Sequence, residues 1–252
     1  MNRSVEGARE GPKKRRFSRY HLFLLAVFLA AWGWAAVAPV YPDDWWLENV
    51  LVFLGVPLIV GLAFYFRLSD LSYTLITVFM VMHVIGSHYT YAEVPFGFSL
   101  QRWFGAERNL YDRLVHFCFG LLLAYPVREV FVRITRARGF WTYYLPVELT
   151  LAFSAIYELI EWAAAARVSP EAGLAFLGAQ GDVWDAQKDM ALAGLGSVVA
   201  MVVTFLIVLR IDADAVRDLR ESLRIPADDR PIGEDQILAW WRRRRARRAG
   251  GG

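Results

Sequence analysis

Six long apolar runs constrain this chain more than any other feature, because each is long enough to cross a membrane. Several of the runs stay apolar for about 18 residues or more, the length of helix that spans roughly 30 Å of hydrocarbon. An amphipathic helix of a soluble domain would instead place a polar residue at every third or fourth position. The predicted spans are residues 20–40, 47–66, 71–89, 111–127, 143–165 and 186–209. We therefore predict an all-α fold, a polytopic transmembrane helical bundle of about six spans.

The basic residues predict which side of the membrane each end occupies. If both termini lie inside, 23 of the 28 lysines and arginines fall on the inner side, where membrane proteins concentrate positive charge. Both termini are therefore predicted to be cytoplasmic. The chain then divides into a basic disordered arm at 1–19, a transmembrane domain at 20–210 and a cytoplasmic tail at 211–252. The tail is expected to contain a short helix and a polybasic end.

Acidic and histidine side chains gather at the ends of the spans that this orientation places outside. A charged side chain in the middle of a bilayer costs at least a few kcal/mol, so such groups are seldom without a role. The members on the third, fourth and fifth spans are expected at one common depth, about 5–10 Å below the outer surface at ~1.5 Å per residue. The set comprises His83, His88, Glu93, Asp112, His116, Glu158, Glu161, Glu171, Asp182, Asp185 and Asp189.

The spacing of these residues predicts which of them face one another. Asp112 and His116 are four residues apart, so they share one helical face. The same argument pairs Glu158 with Glu161 and aligns the three late aspartates, at i, i+3 and i+7, in one stripe. Helical bundles build metal sites from imidazole and carboxylate groups on facing helices. Paired carboxylates with separated pKa values equally supply a general acid and a general base.

Each candidate residue is assigned a role on this basis. The predicted metal ligands are His83, His116, Glu161 and Asp189. The predicted catalytic carboxylates are Asp112, Glu158, Glu161 and Asp185, with Asp112 and Asp185 also orienting the histidines. His88, Asp182 and Lys188 complete the candidate site. This mixed set of donors suits zinc, manganese or iron.

Structural explanations compete with these assignments. Asp112 and Asp182 could simply cap helix N-termini, where aspartate is favoured. Lys188 could pair with Asp185 as a clamp, and a lone buried His83 is more often hydrogen-bonded in a core than bound to a metal. The first two spans carry none of the candidate groups and are expected to be plain lipid-facing helices.

The end of the chain combines a short apolar segment with a run of arginines. Trp240 and Trp241 precede Arg242, and basic residues then continue to Arg248. Such a segment binds the anionic inner leaflet with ~1 kcal/mol per basic residue. No folded recognition module accompanies the run, so nucleic-acid binding is not expected. The charge could also serve only to fix the topology.

Four segments resemble the YjdF-type bacterial inner-membrane proteins. They are HVIGSHYTYAEVP at 83–95, YDRLVHF at 111–117, YELIEW at 157–162 and GAQGDVWDAQKDM at 178–190. The resemblance covers residues 20–210 in matching order, and it implies a multi-pass protein of the bacterial inner membrane in a family without an assigned function. The Asp-x3-His and late acidic motifs are similar, more loosely, to VanZ-like membrane proteins, which are linked to glycopeptide resistance.

Three functions fit these observations. The first is a metal-dependent hydrolase or transferase that faces the cell envelope and acts on a lipid-linked or small polar substrate. The second is a proton- or ion-coupled transporter, although its polar groups would have to continue across the midplane. The third is a non-catalytic assembly or sensing protein in which the polar groups form a rigid clamp. The sequence leaves the substrate and the oligomeric state undetermined.

Overall fold

The described part of this computed structural model is helical throughout. It comprises residues 18–167, 179–224 and 233–249, so the predicted basic arm lies almost entirely outside it, as does Glu171. The helices are α1 (Arg19–Ala35), α2 (Pro42–Tyr65), α3 (Asp70–Tyr89), α4 (Pro95–Phe104), α5 (Tyr111–Val130), α6 (Trp141–Ala165), α7 (Asp185–Ile211), α8 (Ala215–Glu221) and α9 (Glu234–Ala249). A 3-10 turn (Tyr91–Glu93) follows α3, and a π turn (Phe131–Thr135) follows α5.

Local sequence explains where the first two helices end and begin. The Ser18 hydroxyl accepts a hydrogen bond from the His21 amide and so caps α1. The helix ends at Ala35, shortly before Ala38 takes a positive φ of 48°. Pro42 then occupies the first turn of α2, where its missing N–H costs nothing. The first helix is therefore shorter than the predicted span at 20–40, and the second begins before the predicted span at 47–66.

Within the described residues, four helices are long and apolar enough to cross a membrane: α2, α3, α5 with its π turn, and α7. The prediction of an all-α membrane protein is therefore confirmed. α1 is also apolar but has only 17 residues. α6 has 25 residues and carries Glu148, Glu158 and Glu161. The total number of spans thus depends on whether α1 and α6 also cross.

The most extensive helix contact joins α5 to α7, and glycines allow it. A Cβ added to Gly120 of α5 would lie 1.9 Å from the Ala193 carbonyl oxygen. A Cβ added to Gly196 of α7 would lie 2.0 Å from the Phe117 carbonyl oxygen. The two backbones therefore approach more closely than any larger residue would permit, which is the usual way that helices associate in lipid.

The remaining helices pack around this central pair. α6 packs on α5 and α7, while α3 packs on α5 and carries α1 on its other side. An apolar core that includes Phe28, Phe79, Val84 and Val115 joins α1, α3 and α5. This arrangement brings the end of α3, the start of α5, the end of α6 and the start of α7 to one end of the bundle. Those are the helix ends that carry the candidate residues.

A separate polar contact closes the opposite end of the bundle. Glu129 of α5 accepts hydrogen bonds from the Ser69 amide at 2.8 Å and from the Ser72 hydroxyl at 2.6 Å. Arg133 also pairs with Glu129 and donates to the Arg67 carbonyl. This contact holds the start of α3 against α5, far from the candidate site along both helices.

Candidate metal centre

His116 stands at the centre of a compact group of buried side chains, which we call the His116 cluster (Asp112, His116, Glu158 and Asp189). The His116 Nε2 atom lies 3.5 Å from Asp112 Oδ1 and 3.6 Å from Glu158 Oε1. Asp112, His116 and Asp189 each offer a ligand atom, and these atoms all lie within 4.8 Å of one another. Ligand atoms of a tetrahedral metal bound at about 2.0–2.2 Å lie about 3.3–3.6 Å apart, so the widest pair would have to close by up to about 1.3 Å for all three to hold one ion.

Two carboxylate oxygens in the His116 cluster are buried without a hydrogen-bond partner among the described residues. They are Oδ1 of Asp189 and Oε1 of Glu158. Asp189 is only 2% exposed, so solvent does not compensate for the missing bonds. Buried polar atoms are nearly always paired, and each exception calls for an explanation such as a bound ion. A cation among these oxygens would supply it.

Arginines surround the His116 cluster on the side of the α5 and α7 N-termini. Arg108 pairs with Asp185 through both of its terminal nitrogens, the longer of these contacts measuring 3.3 Å. It also lies 3.6 Å from Asp112. Arg113 pairs with Asp182 and lies 3.5 Å from Asp185. These contacts hold the start of α7 against the start of α5. We call the residues involved the arginine network (Arg108, Arg113, Asp182, Asp185 and Lys188).

Lys188 pairs with a different aspartate from the one that the sequence suggested. Lys188 donates to Asp182 at 2.6 Å instead of pairing with Asp185, because Arg108 occupies Asp185. Asp182 also accepts a hydrogen bond from the Trp184 amide at 3.1 Å. The hydrogen bond from Lys188, more than any other contact, lowers the pKa of Asp182 to about 2. Asp182 therefore stays ionised at neutral pH.

Asp112 does not cap the helix that contains it. Leu110 is the N-cap of α5 and provides no side-chain hydrogen bond. Asn109 instead accepts a bond from the Tyr111 amide at 2.9 Å. The side chain of Asp112 is thus left to face His116 and Arg108.

A second polar group, the Glu48 cluster (Glu48, His83, Tyr91 and Tyr157), adjoins the first. The Tyr157 hydroxyl donates to Glu48 Oε2 at 2.7 Å. His83 lies 3.2 Å from the Glu48 carbonyl through Nε2 and 2.5 Å from the Tyr91 hydroxyl through Nδ1. A carbonyl can only accept, so Nε2 carries the proton and Nδ1 accepts from Tyr91. Burial raises the pKa of Tyr91 well above its usual value, which keeps this phenol a donor.

His83 is therefore not among the residues that the structure groups for a metal. Both of its ring nitrogens are engaged in hydrogen bonds, and the side chain is 1% exposed.

The structure also corrects the expectation that the first two spans are plain lipid-facing helices. Glu48 and Asn49 of α2 are buried, and Asn49 accepts from Trp32 at 2.7 Å and donates to the Trp45 carbonyl at 2.8 Å.

Tyr157 connects the two clusters. Its ring meets the His116 ring edge-on with centroids 6.3 Å apart, while its hydroxyl holds Glu48. Glu161, one turn further along α6, interacts with the Tyr157 hydroxyl and with the charges of Glu48 and Glu158. Glu161 is thus adjacent to the His116 cluster, but it is not one of the three residues whose ligand atoms come together.

The other candidate residues take structural positions. His88 donates from Nδ1 to the Ala35 carbonyl at 3.1 Å and packs against Trp34. Glu93 accepts from the Tyr41 hydroxyl at 2.9 Å. Both contacts connect the end of α3 and the turn after it to the segment between α1 and α2.

Sequence reasoning missed Glu48, Tyr157 and Arg108 as members of the site. Glu48 could have been detected from the sequence, since it is an acid six residues into a helix that is apolar from Val50 onward. Arg108 was counted only as a basic residue of a loop, and its partners on α7 lie more than 70 residues away. Contacts between such distant residues depend on how the helices pack, which periodicity does not report.

Comparison with known proteins identifies the family. A family model described as "Predicted membrane protein (DUF2238)" matches residues 20–210. The chain belongs to this family. It is also 43% identical over 159 residues to the "Inner membrane protein YjdF" of Escherichia coli (strain K12), across 63% of this chain and 76% of that protein. No solved structure matches the chain.

These findings confirm the predicted YjdF-type resemblance and the prediction of a multi-pass protein of the bacterial inner membrane. The DUF2238 match begins and ends where the predicted transmembrane domain does, at residues 20 and 210. The looser similarity to VanZ-like proteins stays a prediction.

Proposed function

We propose that this protein is a metal-dependent membrane enzyme whose metal is held by Asp112, His116 and Asp189. The observation that carries the proposal is the approach of these three ligand atoms to within 4.8 Å, beside two buried carboxylate oxygens without hydrogen-bond partners. One imidazole with carboxylates suits zinc, manganese or iron. Such a metal lowers the pKa of bound water towards 7 and so supplies a nucleophile for hydrolysis or transfer.

The charges around the His116 cluster support a divalent cation. Among the residues that the structure describes, three cationic side chains face five carboxylates, which leaves a net charge of two negative units when all are ionised. One divalent cation would neutralise them, whereas buried uncompensated charge is strongly unfavourable. The cations are Arg108, Arg113 and Lys188, and the carboxylates are Asp112, Glu158, Asp182, Asp185 and Asp189.

Neighbouring residues would then take defined roles. Glu158, 3.6 Å from His116, is placed to act as general base or as a further ligand. Asp185 fixes Arg108, which in turn holds Asp112 in position. Glu161 and Glu48 would exchange protons with the site through Tyr157. The substrate proposed is a lipid-linked or small polar molecule of the cell envelope.

The proposed topology has six spans, with α1 and α6 crossing in addition to the four longer apolar helices. Both termini then lie in the cytoplasm, and the His116 cluster lies at the outer leaflet. The support is the distribution of basic residues, 23 of 28 of which fall on the inner side in this arrangement.

The test is the metal content of the full chain, purified in mild detergent without chelators. Elemental analysis of wild type should give about one zinc, manganese or iron ion per chain. His116→Ala and Asp189→Asn should each lose it with the fold retained. The matched control is Glu93→Gln, an acid at the same end of the bundle that lies outside the His116 cluster. A well-folded wild-type protein without metal would contradict the proposal.

Catalysis needs its own measurement. Metal-loaded protein is reconstituted in liposomes of bacterial lipid, and the lipids are analysed by mass spectrometry over time. Wild type should alter a lipid headgroup, and the Asp189→Asn protein should not. Stoichiometric metal without any change in lipid or in added phosphate esters would instead favour a sensing or assembly role.

A proton-coupled transporter is the second candidate, favoured by the hydrogen bonds of the Glu48 cluster. These bonds run from Tyr91 through His83 to the backbone of Glu48, whose side chain accepts from Tyr157. This candidate predicts that proteoliposomes containing wild type, but not Glu48→Gln, dissipate an imposed pH gradient. Equal rates for the two proteins would dismiss it.

The C-terminal helix α9 is proposed to bind anionic lipids of the inner leaflet. Ile237 and Trp241 are exposed on α9, and Arg244 lies over the Trp240 ring at 4.9 Å. Each basic residue adds about 1 kcal/mol at an anionic surface. Trypsin should therefore cut the arginine run more slowly in liposomes that contain phosphatidylglycerol than in neutral ones. Equal cleavage rates would argue for a purely topological role of the charge.

A further inference from the structure

The short helix α4 turns its apolar side away from the rest of the protein. Phe96, Leu100, Trp103 and Phe104 follow i, i+4, i+7 and i+8 spacing, so they form one stripe. Trp103 is 70% exposed and Phe104 75% exposed. Phe96 packs on Trp103 with ring centroids 6.1 Å apart, which extends the stripe along the helix. In a soluble domain such a stripe would face the core.

The orientation of α4 is fixed by its contacts with the start of α5. Gly97 is buried, and a Cβ added there would lie 1.7 Å from Asn109 Oδ1. The Asn109 side chain also donates to the Val94 carbonyl at 3.0 Å, and the Leu110 amide donates to the Gly97 carbonyl at 3.4 Å. The stripe therefore cannot turn inward without breaking these contacts.

The position of α4 places it at the boundary of the hydrocarbon. It lies between the end of α3 at Tyr89 and the start of α5 at Tyr111, and both of those helices qualify as membrane spans. Leaving a large apolar side chain in water instead of burying it is unfavourable. Aromatic side chains are enriched at the interface between lipid and water.

We propose that α4 is an interfacial helix whose aromatic stripe is covered by membrane lipid. Its polar side, which includes Ser99, Gln101 and Arg102, faces the headgroups and water, as in amphipathic helices that lie in the plane of a membrane. The proposal stands whether or not the His116 cluster binds a metal.

One consequence concerns access to the candidate site. Arg108 and Asp112 follow α4 directly and contact each other at 3.6 Å. If α4 lies in the interface, this part of the site sits at the depth of the lipid headgroups. A lipid headgroup would then reach the site sideways from the bilayer, without leaving the membrane.

The test uses spin labels on the full chain in liposomes. Cys118, the one cysteine of the chain, is replaced by serine, and a nitroxide is attached at Trp103→Cys or Phe104→Cys. The matched control is Arg102→Cys, next in sequence but on the polar side of the helix. Collision rates with oxygen, which concentrates in lipid, and with a water-soluble nickel chelate report the depth of each label. Circular dichroism and size-exclusion chromatography verify the fold, and Cys118→Ala serves as a second background.

Labels at 103 and 104 should collide more with oxygen and several-fold less with the nickel chelate than the label at 102. Equal access of the chelate to all three positions would overturn the proposal, because α4 would then lie in water. Protection of 103 and 104 from both reagents would also overturn it, since a protein surface, such as a second copy of the chain, would then cover the stripe.

Discussion

Asp189 combines two properties that are costly inside a membrane helix. It is 2% exposed, and one of its oxygens lacks a hydrogen-bond partner among the described residues. A carboxylate kept only for structure would be expected to have both oxygens paired. A ligand atom of Asp189 lies within 4.8 Å of ligand atoms of Asp112 and His116. At the scale of single residues, Asp189 is therefore the position at which a role as metal ligand is most readily distinguished from a purely structural role.

Asp189→Asn should weaken metal binding while leaving the metal-free protein at least as stable as wild type. The substitution removes one ligand, and loss even of an outer partner of a metal site costs about 10–100-fold in affinity, so at least about 100-fold is expected. It also removes a buried charge, one of whose oxygens has no hydrogen-bond partner among the described residues. Isothermal titration with zinc and thermal unfolding without metal measure the two effects. A metal-free variant that unfolds well below wild type would point to a structural role.

Asp182 should contribute to stability at neutral pH and lose that contribution in acid. Its pKa falls from 3.8 to about 2 in the folded protein, chiefly through the hydrogen bond from Lys188. A group with a lowered folded pKa stabilises fully above its unfolded pKa and loses the effect as pH falls through the folded value. The contribution should therefore be constant above about pH 5 and decline towards pH 2.

The measurement is thermal unfolding of wild type and Asp182→Asn as a function of pH. The difference between the two proteins should be present at pH 7 and shrink as the pH falls from about 4 to 2. A matched comparison is Asp212→Asn, whose acid lies beyond α7. A difference for Asp182→Asn that did not change over this range would show that its ionisation is not what stabilises the fold.

At the scale of elements, the contact between α5 and α7 decides whether the site exists. α5 supplies Asp112 and His116, and α7 supplies Asp185 and Asp189. Their relative position depends on the close approach at Gly120 and Gly196, where any side chain would meet backbone atoms of the other helix. These two glycines are therefore as important to the geometry of the His116 cluster as the polar residues themselves.

Gly120→Ala and Gly196→Ala should each destabilise the protein by about 1–3 kcal/mol, the usual cost of forcing extra atoms into a packed contact. They should also weaken metal binding, because separating the helices moves Asp189 away from His116. Gly194→Ala is the matched control, since the nearest atom to its added Cβ is Leu151 Cδ1 at 3.6 Å. Denaturation in detergent measures stability; equal effects at all three positions would contradict this account.

At the scale of the whole molecule, the distribution of basic residues supports the proposed topology. Six spans with both termini inside place 23 of 28 on that side. Epitope tags at the two ends should therefore be digested by protease in inverted membrane vesicles and protected in intact spheroplasts. Tags on opposite sides would require an odd number of spans and would exclude the proposed topology.

The sequence alone determined the fold class, the membrane location and the family. Each depends on properties that are local in the chain: runs of apolar residues set by the thickness of the bilayer, and short motifs of four separate segments. The predicted helix boundaries agree with the structure to within a few residues, except at the end of α1 and the start of α2, where Pro42 and the positive φ of Ala38 set them.

Sequence reasoning also found Asp112, His116, Glu158 and Asp189, because acids and imidazoles within apolar helices stand out by their cost. Only the tertiary structure decided which of them meet. In the structure, His83 contacts Tyr91 and Glu48, and Asp185 pairs with Arg108. Helix α2 also contributes to the site, through Glu48. The physical reason is that helix packing sets the rotation and separation of each helix. Here that packing depends on two glycines, Gly120 and Gly196, whose neighbours come from another part of the chain.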